Sequence, residues 1–163
     1  MAEKMLLLDP EKCNGCRTCE MVCSLKHSHG CSTIRSRVRV ITLETQDLSL
    51  PIMCQHCEIP FCQKVCPTRA IYRDMTTNAV IINPKKCLGC KMCVYVCPFG
   101  ATFIDPIDRV IIKCDLCEGD PECAKFCPNQ AIQFIRNDKM GATKRRAGAQ
   151  KMLNAITQMV VES

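Results

Sequence analysis

Apolar residues in this chain come in short runs broken by proline and polar stretches. The runs at 5–8 (MLLL) and 80–82 (VII) each lead to a proline, Pro10 or Pro84. Each therefore predicts a short strand closed by a turn. The runs at 110–112 and 132–135 predict two more short strands. From Arg37 to Leu43 basic and apolar positions alternate (Arg37, Val38, Arg39, Val40, Ile41, Thr42, Leu43), the period-two spacing of a half-buried strand. Near the end, Met152, Leu153, Ile156, Met159 and Val160 recur at helical spacing and predict one amphipathic helix. Together these elements imply an α+β class. No stretch approaches the roughly 20 apolar residues that cross a bilayer, so no direct membrane insertion is expected.

The chain also repeats itself. Residues 5–23 (MLLLDPEKCNGCRTCEMVC) align without gaps on residues 79–97 (AVIINPKKCLGCKMCVYVC). Residues 54–71 (CQHCEIPFCQKVCPTRAI) match 114–132 (CDLCEGDPECAKFCPNQAI) with one inserted residue. The order is A-B-A-B, and the B units have the longer second cysteine gap. Residues 24–53 form an insertion outside the repeats, and residues 137–163 form a cysteine-free tail.

What repeats is cysteine. The 17 cysteines among 163 residues include four quartets: Cys13, Cys16, Cys19, Cys23; Cys54, Cys57, Cys62, Cys66; Cys87, Cys90, Cys93, Cys97; and Cys114, Cys117, Cys123, Cys127. The last three close on Pro67, Pro98 and Pro128, whereas Ser24 follows the first. The run C-x2-C-x2-C-x3-C-P is the ligand spacing of bacterial [4Fe–4S] clusters, and its fourth cysteine serves the other cluster of a pair. Four such runs predict four [4Fe–4S] clusters. In each, three cysteines wrap one cubane, and the fourth sits at a helix start beside proline, which needs no N–H partner there. Structural zinc sites instead close on two well-separated Cys-x2-Cys pairs. Which neighbour each fourth cysteine serves is open at this point, nested or sequential.

Composition removes other classes. A cysteine-rich short chain is often a secreted disulfide scaffold, but the count is odd and the first apolar run spans only four residues, too short for a signal peptide core. A reducing, cytoplasmic setting is the expectation. There is no Trp and aromatics are 4% of residues, so the ordinary core is thin. The formal charge of +6 suggests nucleic acid, yet sixteen thiolates and four oxidised cores carrying about +2 each bring the holoprotein to about −2. No nucleic-acid partner is expected. No dinucleotide loop or nucleophile motif is present, so no catalytic residues are assigned.

Cys31 reads as a free thiol rather than a ligand, even beside His27 and His29. His56 reads as a hydrogen-bond donor behind the second quartet. Phe61, Tyr95, Phe99, Phe126 and Phe134 flank cluster ligands and read as a water-excluding shell. The basic tail (Lys139, Lys144, Arg145, Arg146, Lys151) reads as a solvated face with a docking role in reserve.

The stretch from Pro51 to Cys62, continuing through Cys66 and Pro67, resembles the four-cluster ferredoxin subunits of molybdenum and tungsten oxidoreductases, typified by the dimethyl sulfoxide reductase iron–sulfur subunit. The compact last quartet from Cys114 to Cys123 is similar to small soluble members that accompany tungsten aldehyde oxidoreductases and tungsten benzoyl-CoA reductases. Carbon monoxide dehydrogenase-associated ferredoxins share the plan. The resemblance, over about residues 5–135, implies two dicluster-ferredoxin modules within 1–136, related by a pseudo-twofold. The outer would come from quartets one and four, the inner from quartets two and three, with a helical tail over 137–163. It implies four ligand sets: Cys13, Cys16, Cys19 with Cys127; Cys114, Cys117, Cys123 with Cys23; Cys54, Cys57, Cys62 with Cys97; and Cys87, Cys90, Cys93 with Cys66. It implies single-electron transfer to or from a catalytic tungsten or molybdenum subunit, with a flavin subunit or a ferredoxin at the other end. A free polyferredoxin, or a partner of a carbon monoxide dehydrogenase or hydrogenase system, is the alternative.

Because ligation free energy substitutes for the missing core, removing the metal should leave the chain largely unfolded. Circular dichroism of a chelated, reduced sample tests this, and a well-folded metal-free preparation would contradict it.

Overall fold

The structure is a computed structural model, and it describes residues 4–44 and 48–136. Eight strands and four helices alternate along it: β1 Lys4–Leu8, α1 Thr18–Ser28, β2 Val38–Leu43, β3 Leu48–Met53, α2 Phe61–Lys64, β4 Ile71–Arg73, β5 Val80–Ile82, α3 Met92–Tyr95, β6 Thr102–Ile104, β7 Ile111–Lys113, α4 Glu122–Lys125 and β8 Ile132–Arg136. The class is α+β. The helix expected over 152–160 lies outside the described residues.

The strands form four separate two-stranded antiparallel sheets. Three are hairpins that connect successive quartets: β2–β3, β4–β5 and β6–β7. The fourth joins the far ends of the described chain, pairing Met5 with Ile135 and Leu6 with Phe134 across β1 and β8. That long-range pairing brings the first quartet to the last. Helix packing follows the same nesting, with α1 against α4 and α2 against α3. A two-stranded sheet is marginal alone in water, so these hairpins depend on what they pack against.

What they pack against is aliphatic side chains and sulfur together. One buried cluster joins Leu6, Val38, Val40, Met53, Leu116 and Ile132 to Cys19, Cys23, Cys114 and Cys123. A second joins Ile71, Val80 and Ile111 to Cys93, with Cys62, Cys66 and Cys87 at its edge. In β2 the alternation read from sequence is realised: Val38 and Val40 point inward. Arg39 bonds the carbonyls of Thr33 and Ile34 and lies 5.1 Å over the Phe103 ring. Arg35 reaches Asp105 at 2.9 Å and also binds Asp108, tying the insertion to the β6–β7 connection. Burial pushes the Asp105 carboxyl up, but the Asp108 and Ile107 N–H groups and Arg35 outweigh it and hold the carboxyl below its usual range.

The first quartet departs from the others in one respect with a large consequence. Lacking a proline at position 24, α1 runs eleven residues, straight through Cys23 to Ser28. Ser24 is fully buried. Its hydroxyl donates to Met21 O at 2.9 Å and accepts the Ser32 N–H at 2.9 Å, anchoring the chain as it leaves the helix. The loop before α1 needs Gly15 (φ +71°), where a Cβ would come within 2.6 Å of Ser49 Oγ.

Ser24→Pro would make the first quartet match the other three, yet it places proline in a helix interior. The substitution should cost about 3 kcal/mol or more, read as a lowered denaturant midpoint of the iron-loaded protein. Unchanged stability would mean that α1 does not need to pass through Cys23.

Candidate iron–sulfur sites

Three small cavities are each lined by four cysteines. The first holds Cys13, Cys16, Cys19 and Cys127. The second holds Cys54, Cys57, Cys62 and Cys97. The third holds Cys87, Cys90, Cys93 and Cys66. A fourth group is Cys114, Cys117 and Cys123 with Cys23, whose charge acts on all three. Every quartet thus sends its last cysteine to another quartet's triplet. Cys31 is exposed and belongs to no group.

Neighbouring groups lie within electrostatic reach of one another in a fixed order. Cys123 in the fourth group feels Cys19 of the first. Cys114 in the fourth feels Cys54 of the second. Cys93 in the third feels Cys62 of the second. The groups therefore form a line: first, fourth, second, third.

Local geometry explains the spacing. The Cys-Pro cysteines do not start helices, as the sequence reading had it. Each follows a short helix carrying the third cysteine (α2, α3 or α4) and opens a β-turn. The turn closes by Arg69 N–H to Cys66 O (3.2 Å), Gly100 N–H to Cys97 O (3.1 Å) and Gln130 N–H to Cys127 O (3.2 Å). Proline at the second turn position supplies the required φ and discourages helix in the residue before it. Arg69, Gly100 and Gln130, at the last turn position, all have positive φ. The next residue is a buried alanine, Ala70, Ala101 or Ala131. Ala70 N–H donates to Cys66 Sγ at 3.2 Å, and Ala101 N–H to Cys97 Sγ at 3.4 Å. Cys23, without such a turn, receives the Arg37 N–H at 3.3 Å from the insertion instead.

A second layer of polar groups surrounds the fourth thiol group, and the sequence reading missed it. His27 lies one helical turn beyond Cys23 on α1. Its Nε2 is 3.5 Å from Cys117 Sγ and 3.4 Å from Asp115 Oδ1. Facing two acceptors, that nitrogen carries the proton. Burial, and then Arg37, lower the His27 pKa. Asp115 accepts the Cys117 N–H at 3.0 Å and pairs with the Arg37 guanidinium. His27, Asp115 and Cys117 come within 4.8 Å of one another, but Cys117 already belongs to the thiol group. Sequence spacing hinted only at the His27 face of α1. The partner is 90 residues away.

His56 Nδ1 accepts the Val80 N–H at 3.0 Å, which leaves the ring proton on Nε2, buried and without a partner among the described residues. The His56 backbone N–H donates to Cys54 Sγ at 3.4 Å. Phe61 and Phe99 line the second cavity while half exposed, whereas Tyr95 and Phe126, exposed by 86% and 56%, line none of the three cavities.

The thiol groups fit an iron–sulfur core. Burial pushes the Cys19 thiol up to about 12 and the Cys93 thiol up to about 11, and raises Cys114 and Cys123 further. Without a cation the thiolates would be costly, and binding metal must release those protons. Thr102 Oγ1, which borders the second cavity, is buried with no partner among the described residues. It is a hydroxyl donor waiting for an acceptor such as sulfur.

A family model described as a 4Fe-4S dicluster domain matches residues 45–137, and one described as a 4Fe-4S binding domain matches residues 6–24. The chain belongs to the 4Fe-4S dicluster family. This dicluster protein is 38% identical over 122 residues to the Pyrococcus furiosus "Aliphatic sulfonate oxidoreductase, polyferredoxin-like subunit", covering 75% of this chain and 70% of that one. It is 32% identical over 174 residues to the Escherichia coli "Electron transport protein HydN", covering 90% of this chain and 97% of that one. Among solved structures it is similar to a chain of the active site complex BamBC of benzoyl coenzyme A reductase with 1,5-dienoyl-CoA. That match has a TM-score of 0.50 at 26% identity, over 82% of this chain and 76% of that chain.

Cys66→Ser should disturb the cluster site shared with Cys87, Cys90 and Cys93 and spare the site of Cys54, Cys57 and Cys62. Electron paramagnetic resonance (EPR) of the reduced variant checks this. Damage confined to the Cys54 site would break the exchange of fourth cysteines.

Proposed function

We propose that this chain is the electron-transfer subunit of a cytoplasmic oxidoreductase complex and carries four [4Fe–4S] clusters. Their ligands are Cys13, Cys16, Cys19 with Cys127; Cys114, Cys117, Cys123 with Cys23; Cys54, Cys57, Cys62 with Cys97; and Cys87, Cys90, Cys93 with Cys66. The partner is a catalytic tungsten or molybdenum subunit of the aldehyde oxidoreductase or benzoyl-CoA reductase kind, and a soluble carrier exchanges electrons at the other end. In domain terms, residues 1–136 are a double dicluster domain, and residues 137–163 are a tail.

The observation that carries the reading is the line of four thiol groups. A bound cluster takes up or releases one electron with little change in bonding, the property a relay needs. The protein's own part is to aim sixteen sulfurs, exclude most water and supply N–H donors to Cys23, Cys54, Cys66 and Cys97. Such donors stabilise negative charge on sulfur and so shift potential. Relatives named as electron transport proteins and oxidoreductase subunits favour a conducting role over a catalytic one. The likeness to a chain of an active site complex favours a bound catalytic partner. Exposed Ile59, Phe61, Leu88, Met92, Tyr95 and Phe99, beside the second and third groups, offer an apolar face for such a contact. No helix among the described residues is long and apolar enough to cross a membrane.

Purifying the chain from its native source should yield about 16 iron and 16 sulfide per chain, in a complex that survives gel filtration and contains tungsten or molybdenum. A chain that elutes alone, iron-loaded but without either metal, would favour the free carrier and remove the subunit reading.

A further inference from the structure

Lys113 is the only basic residue among the described ones that is fully buried, with 4% of its surface exposed. It ends β7, immediately before Cys114 of the fourth thiol group, and it also lines the second cavity with Cys54, Cys57, Cys62 and Cys97. Its ammonium donates to Val80 O, and no carboxylate among the described residues pairs with it. A buried charge without a counter-charge is strongly unfavourable. The Lys113 charge acts on the Cys62 thiol of the second cavity. Across the β6–β7 ladder its partner is Thr102, whose buried, unpartnered hydroxyl borders the same cavity. The basic residues that line the first and third cavities, Lys12, Arg17 and Lys91, are exposed and screened by water.

We infer that Lys113 is a positioning residue for charge: its ammonium is the internal counter-ion of the Cys54, Cys57, Cys62, Cys97 site and raises that site's reduction potential. The inference rests on the reading that this site holds a [4Fe–4S] cluster. When one electron arrives there from the neighbouring Cys114 site, the Cys54 site is reduced and the Cys114 site oxidised by one electron. No bond or proton changes hands. The electron makes the Cys54 site one charge more negative, and a fixed cation in a low-dielectric cavity favours that form over the oxidised one. The position matters because these two sites are the middle of the line, where the two ends of the relay meet. Lys113 therefore biases an electron toward the inner half. The lowered pKa of the neighbouring His56 is consistent with this: burial is the first cause, and the Lys113 charge is the second.

The test compares Lys113→Met, which keeps length and removes charge, with Lys113→Arg, which keeps charge. Both are measured on the full iron-loaded chain by dithionite titration monitored by EPR. The Cys54-site signal is identified by its change in Cys57→Ser. The expected result is a lower midpoint for that signal in Lys113→Met, a smaller downward shift for the Cys114 site, unmoved signals for the other two, and near-native values in Lys113→Arg. Full iron content with unmoved midpoints in Lys113→Met would overturn the inference, as would an equal shift in Lys113→Arg. If Lys113→Met does not retain iron, Lys113→Gln takes its place. Loss of iron in both neutral variants but not in Lys113→Arg also supports the counter-ion. Loss in all three assigns Lys113 to packing and ends the inference. A wild-type chain lacking the Cys57-dependent signal would instead refute the cluster reading itself.

Discussion

Thiols share the interior of this molecule with aliphatic side chains, and turning a buried thiol into a thiolate is costly without a cation to meet it. Cys19, Cys23, Cys93, Cys114 and Cys123 sit in the same buried clusters as Leu6, Val38, Met53, Val80 and Ile132. Strands of three to six residues, paired only in twos, cannot supply the apolar area of an ordinary domain. Burial raises the pKa of the deepest thiols, so the fold pays for its core with acidity that only metal can restore. The hairpins aim sulfur, and metal bound by that sulfur would in turn hold the hairpins.

Two local devices support the sulfurs. At Cys66, Cys97 and Cys127 a proline turn ends in a positive-φ residue and then a buried alanine, which turns a backbone N–H toward sulfur at Cys66 and Cys97. At Cys23 the helix continues, and the N–H comes from Arg37 in the insertion. The same insertion delivers the Arg37 guanidinium to Asp115, and through Asp115 it meets His27 beside Cys117. The departure at Ser24 is thus the start of a different support, in which a long helix and an inserted hairpin take over from a proline turn.

Much of the site was legible before any coordinates. Cysteine spacing carries ligand chemistry because a cubane demands sulfurs at fixed separations, and three closely spaced cysteines satisfy that within one loop. Alternation in β2 was legible because one face of that strand is buried. Less legible was which neighbours of the cysteines face inward. Tyr95, two residues from Cys93 in sequence but 86% exposed, had no signal to separate it from a shielding residue. His56 looked like a donor, and which ring nitrogen keeps the proton is set by the Val80 N–H, which the chain brings from 24 residues away. Lys113 looked like one more surface lysine. Only its place between two thiol groups marks it.

The sequence by itself determined the chemistry: sixteen sulfurs in four quartets, short strands before them and proline turns after three of them. These are local properties, set by neighbours a few residues apart. It did not determine which distant cysteine completes which triplet, since spacing is silent about partners dozens of residues away. Tertiary structure decided that by pairing β1 with β8 and packing α1 on α4 and α2 on α3. It likewise decided the order of the groups and the isolation of Lys113 from water. Those depend on how the whole chain closes around its sulfur, which no local pattern encodes.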